Sequence, residues 1–137
     1  MTTEDVDAIL TDFASEAVID PATAGQRLAD WIGGPSAAGK AKLQQLAYAG
    51  PRLVAEAYLR GGAEPGQYEV TRDLVDEIPS PAHGTAIQAV VLHLNRRPLD
   101  ADALIARFTD STGLKGQWDV GVAALQLLTA ELRDQRS

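Results

Sequence analysis

Apolar residues return every three or four positions through most of the chain, which is the spacing of one helix face rather than the alternation of a strand. Val6, Ile9, Leu10, Phe13 and Ala17 set the first stripe. With Thr3 as a cap and Glu4 and Asp5 as first-turn acids, it predicts a helix from Thr3 to Val18. Asp20-Pro21 restarts the chain as N-cap and first helical residue, with Leu28, Trp31 and Ile32 as the buried stripe and Gly33-Gly34-Pro35 as the stop. Ser36 then caps a third helix carried by Leu43, Leu46, Ala47, Leu53, Val54, Ala57 and Tyr58. Gly50-Pro51 must kink or divide it, and Gly61-Gly62 closes it.

Periodicity lapses from Ala63 to Val70, around Pro65-Gly66, and this stretch reads as a loop. A short helix is predicted for Arg72 to Ile78, stopped by Pro79-Ser80-Pro81. From Ala82 to about Arg96 the next helix is apolar on most sides, so a central position is expected for it. Pro98-Leu99-Asp100 opens another helix, reaching about Asp110. Gln117 to Arg133 completes the set, with Trp118, Val122, Leu125, Leu128 and Leu132 on one face. The expected architecture is all-α, a single compact bundle of six to seven helices with non-parallel packing and short Gly/Pro loops. The 137 residues fit one domain, with loop 63–70 as the joint between sub-units 1–62 and 71–137.

Composition sharpens this picture. Ala and Leu occupy 39 positions against 15 for Val and Ile, a bias toward helix formers. The absence of cysteine excludes disulfides, thiolate metal sites, Cys nucleophiles and iron–sulfur clusters. No basic n-region with an apolar core opens the sequence, and no apolar run approaches the roughly 20 residues of a membrane span, so a cytoplasmic protein without membrane association is expected. Nine Arg against three Lys, with abundant Ala and Gly, is the coding bias of a high-GC bacterium or its phage.

Four motifs invite a chemical reading. Gly34-Pro35-Ser36-Ala37-Ala38-Gly39-Lys40-Ala41 fits a phosphate-binding loop up to its last position, where Ala41 replaces the hydroxyl that would hold Mg²⁺. The segment before it has helical spacing where the motif needs a strand, so a helix–loop–helix junction is expected. Leu104 to Leu125 can be read as a helix-turn-helix with its turn at Thr112-Gly113-Leu114. Arg96, Arg97, Arg107 and Lys115 would then be its nucleic-acid-binding set, but Asp100, Asp102 and Asp110 leave the region near neutral. The two histidines, His83 and His93, lie about 15 Å apart on one continuous helix and cannot share a metal. The close acid pairs, Asp76-Glu77 and Asp100 with Asp102, are explained by a polar helix face and by N-capping. No catalytic residue, metal site or cofactor is therefore assigned, and the reading leans away from an enzyme.

The net charge of −7 is unevenly placed. Residues 1–20 hold Glu4, Asp5, Asp7, Asp12, Glu16 and Asp20 with no base, while residues 21–137 hold 12 bases and 13 acids. One helix thus carries the acidity, opposite its apolar stripe. The function expected from this is a non-enzymatic protein–protein interaction module for a basic partner, of inhibitor, antitoxin, immunity or adaptor type. Glu4, Asp5, Asp12 and Glu16 would make the contact, with Tyr68 in the central loop as an aromatic anchor. The alternatives are a helix-turn-helix regulator using segment 96–125, and a small-molecule-binding or catalytic bundle with a pocket near His93, Asn95 and Trp118. The overall acidity argues against general nucleic-acid binding.

Overall fold

Helix ends fall where short side chains can cap them. In the computed structural model, which describes residues 6–33, 36–62 and 80–136, α1 spans Val6–Ile19 and α2 spans Pro21–Ile32. Asp20 Oδ1 accepts from the Thr23 amide at 3.2 Å and Oδ2 from the Thr23 hydroxyl at 2.6 Å, with Pro21 in the first turn. These bonds, the Thr23 hydroxyl first, hold the Asp20 carboxyl below its ordinary pKa. Gly33 ends α2 at φ +79°, a conformation that favours glycine.

The third helix, α3 (Ala37–Arg60), starts at Ser36, whose Oγ accepts from the Gly39 amide at 3.1 Å. It runs through Gly50-Pro51 without dividing, and both residues are buried. Gly39 and Lys40, the end of the phosphate-loop match, are ordinary residues of its first turn, and the element before them is a helix.

Ser80-Pro81, read in the sequence as part of the stop just before the helix expected from Ala82, opens α4 (Pro81–Leu94). Ser80 Oγ accepts from the His83 amide at 3.2 Å, and Pro81 occupies the first turn. Helix α4 closes with Arg96 at φ +61° and the Arg97 amide donating back to the Leu92 carbonyl at 2.8 Å, the left-handed closure that glycine usually supplies.

The fifth helix, α5 (Pro98–Arg136), corrects the expected helix number: five are present among the described residues rather than six or seven. Two helices were expected, up to Asp110 and from Gln117. They meet at the single non-helical residue Gly113 (φ +70°, ψ −151°), because the chain around the break stays bonded. The Ser111 and Thr112 hydroxyls both donate to the Phe108 carbonyl, at 2.9 and 2.8 Å. The expected helix at 72–78 lies outside the described residues.

The core gathers where α3 crosses α5, with α4 and α1 packed on the same pair. Leu10, Leu46, Val54, Val120 and Leu128 are fully buried. Two glycines set the approach of the central pair. A Cβ on Gly50 would sit 2.8 Å from Ala124 Cβ, and one on Gly121 would run into the side chain of Leu46. Small residues here let two backbones close to a distance that larger side chains would forbid.

Candidate functional site

Three helices leave an apolar cleft of about 370 Å³ between them. Its walls follow from helical spacing. α1 contributes Phe13, Ala14 and Ala17, and α2 contributes Ala24, Gly25 and Leu28, each set on one face of its helix. The C-terminal half of α5 supplies the rest, from Trp118 through Val122 and Leu125 to Ala130 and Arg133, about 22 Å along the axis at 1.5 Å per residue. Gly25 and Ala130 are exposed at the rim, so the cleft is open on one side.

Polar groups in the cleft are few and mostly engaged. The Thr129 hydroxyl donates to the Leu125 carbonyl at 2.7 Å. Gln126 Oε1 meets His83 Nε2 at 2.9 Å, while Ser80 Oγ lies 3.1 Å from His83 Nδ1. A carbonyl oxygen can only accept, so His83 donates from Nε2 and accepts at Nδ1 from the Ser80 hydroxyl. This chain ties the start of α4 to α5. Among the described residues lining the cleft, Arg133 is the one charged side chain, and it is exposed.

A second, polar pocket of about 350 Å³ lies where α1 and α5 begin, α4 ends and α3 passes its midpoint. Asp7 holds Arg52 through two bonds, at 2.6 and 3.0 Å, and Glu56 adds a third at 3.1 Å. The hydrogen bond to Asp7 raises the Arg52 pKa despite burial. His93 faces the same pocket with its Nε2 buried and without a hydrogen-bond partner.

Burial lowers the pKa of His93 from its ordinary value, against the pull of Asp102, with Arg52 adding to the lowering and Glu56 opposing it. The folded state thus binds fewer protons here than the unfolded chain. The His93 contribution is complete above pH ~6.5 and is lost as the pH falls from there toward the lowered value. Thermal melts are expected to show a lower Tm at pH 5.5 than at pH 7.5, with a smaller drop in His93→Gln. An equal drop in both proteins would locate the pH dependence elsewhere.

The described residues singled out in the sequence lie on different elements. Asp12 is exposed on α1, and Glu16, half-buried, pairs with Arg27 of α2. Asp7 is likewise spent on Arg52, so the α1 acids partly serve to fasten that helix. Glu4, Asp5 and Tyr68 lie outside the described residues. Arg96 forms the left-handed turn, Arg97 bonds Asp100 at 2.6 Å, and Arg107 and Lys115 lie exposed on either side of the Gly113 break. That break is one residue, without the three- to four-residue turn of a helix-turn-helix. Among the described residues no group of three or more metal-ligating side chains is present, and no helix is long and apolar enough to cross a membrane.

The sequence pattern places Phe13, Leu28, Trp118, Val122 and Leu125 on apolar stripes; Phe13, Leu28 and Leu125 are indeed buried core residues, and together with the half-buried Trp118 and Val122 they also wall the cleft. A signal was available in the small residues Ala17, Ala24, Gly25 and Ala130, which leave space beside them. Fold and cleft define the class as an all-α bundle with an open apolar cleft. No family model, characterised protein or solved structure matches the chain.

Proposed function

We propose that this protein is a non-enzymatic binding module whose receiving surface is the cleft between α1, α2 and α5. The observation that carries this reading is the cleft itself, whose volume falls within the ~300–1,000 Å³ of ligand pockets and whose walls are apolar with few polar groups. Trp118 in its wall supplies an intrinsic reporter.

The test is titration with an uncharged apolar fluorophore, N-phenyl-1-naphthylamine, followed by its own emission and, in the wild type, by the combined emission of Trp31 and Trp118. Saturable binding is expected, with loss of about tenfold or more in affinity when Ala130→Trp or Gly25→Trp fills the cleft. Both positions are exposed, so the variants should keep the wild-type Tm. Absence of saturable binding, or binding unchanged in both variants, overturns the reading.

A second reading is favoured by the six acids and no base in residues 1–20 and by the exposure of Asp12. In it, a basic protein partner docks on the outer face of α1. Such a partner would be insensitive to Ala130→Trp, would be lost on Asp12→Lys, and would bind more weakly as salt is raised.

A further inference from the structure

We infer that the ligand of the cleft is a neutral, elongated apolar molecule with a carbonyl-type acceptor near its middle, and that Gln126 is the residue that selects it. This rests on the reading of the cleft as the receiving surface and adds the chemistry of what it receives.

The walls decide against charge. α1 and α2 contribute no polar side chain to the cleft, so its polar side chains all come from α5. The one charged residue among the described lining residues, Arg133, already has an interaction within the protein, and no acid is among them. A charged ligand would leave water without gaining a free counter-charge, a cost that a neutral ligand avoids.

Hydrogen-bond accounting carries the second step. The Thr129 hydroxyl hydrogen is spent on the Leu125 carbonyl, 2.7 Å away. The oxygen of Gln126 is tied as well, because His83 Nε2 donates to its Oε1 at 2.9 Å, and the Ser80 hydroxyl, 3.1 Å from His83 Nδ1, fixes that tautomer. What the side chain then offers a ligand is its amide nitrogen, a donor held in place and without a hydrogen-bond partner among the described residues. A donor oriented in advance lowers the ordering cost of the bond it makes. Gln126 is exposed, so an arriving acceptor would replace water there and make its bond beside apolar walls.

Position sets where the acceptor lies. Gln126 comes eight residues after Trp118 and seven before Arg133, which is about 12 Å and about 10.5 Å along the axis of α5. The donor therefore stands near the middle of the groove, with Trp118 and Val122 before it and Ala130 after it. A matching ligand carries apolar arms on both sides of its acceptor. The indole N–H of Trp118, at one end of this span, would instead serve an acceptor at the end of a ligand.

The experiment displaces N-phenyl-1-naphthylamine with 6-undecanone, 2-undecanone and undecanoate, on the wild type and on Gln126→Glu, Gln126→Leu and His83→Phe. 6-Undecanone is expected to compete about fivefold better than its terminal isomer and about tenfold better than the carboxylate. Gln126→Glu keeps the bond from His83 but turns the donor into a second acceptor, and Gln126→Leu removes the donor. Each should abolish the preference between the ketones by weakening 6-undecanone about fivefold. His83 is a positioning residue, and His83→Phe should bring the two ketones toward equal affinity, a ratio that a merely loosened cleft would not move. Equal competition by the two ketones in the wild type, a preference for 2-undecanone, or 6-undecanone binding indifferent to both Gln126 variants overturns the assignment while leaving the cleft as a receiving surface. Undecanoate as the best competitor does the same. Failure of the fluorophore itself to bind removes the underlying reading instead.

Discussion

Gly121→Ala is expected to lower stability by about 2 kcal/mol, although alanine is the better helix former by about 1 kcal/mol. The added Cβ would lie 2.7 Å from Leu46 Cδ2 and closer still to its Cγ, and Leu46 has no exposed surface through which to retreat. Overpacking of this kind costs about 1–3 kcal/mol, occasionally more, and a contact inside van der Waals distance on three carbons belongs at the upper end. Urea denaturation should show the loss as a lower midpoint with an unchanged slope.

The pairing makes the explanation testable beyond the single variant. Leu46→Ala alone should cost about 2–5 kcal/mol, because it removes a fully buried side chain from the α3–α5 contact. In that background Gly121→Ala should be neutral or stabilising, since the obstructing atoms are gone. An additive double mutant would mean that the glycine is needed for some reason other than the approach of the two helices.

Leu10→Ala is the second large effect, expected at about 3 kcal/mol within the usual range of about 2–5 kcal/mol. α1 has three buried residues, Leu10, Phe13 and Ala14, so one truncation removes much of its hold. Beyond these it is fastened by exposed or half-exposed ion pairs, Asp7 with Arg52 and Glu16 with Arg27, of which each contributes at most about 1 kcal/mol. Hydrogen exchange should therefore show α1 amides losing protection first while the α3–α5 core keeps its own. Because Phe13, Ala14 and Ala17 wall the cleft, ligand affinity should fall with α1 protection. A uniform loss of protection across all five helices would contradict this division.

Most of the fold was legible because caps and stripes are local. Asp20-Pro21, Ser36 and Gly33 mark their helix ends in the sequence, and of the expected α3 stripe Leu43, Leu46, Ala47, Leu53, Val54 and Ala57 are buried while Tyr58 is half-buried. The Gly113 break was placed correctly, but its form was not, since whether a break becomes a loop or one bent residue depends on how neighbouring hydroxyls rebond the carbonyls. The cleft was not legible. Periodicity identifies an apolar face but not how completely a neighbouring helix covers it, and here α2 and α5 leave part of the α1 face open. The expected pocket near His93 and Asn95 has a counterpart in the polar pocket that includes His93, whereas Trp118 belongs to the other site.

The hydroxyl of Thr129 also points toward the carbonyl of Ala14, 3.4 Å away and 115 residues earlier in the chain. α1 thus docks on a helix synthesised more than a hundred residues later. At roughly 5–20 residues per second, about 6–23 s pass on the ribosome between the appearance of Ala14 and that of its partner. Through that interval the apolar face of Leu10 and Phe13 has no α5 to cover it. The nascent chain is therefore open to chaperones, or to wrong partners, for much longer than the microseconds a helix needs to form.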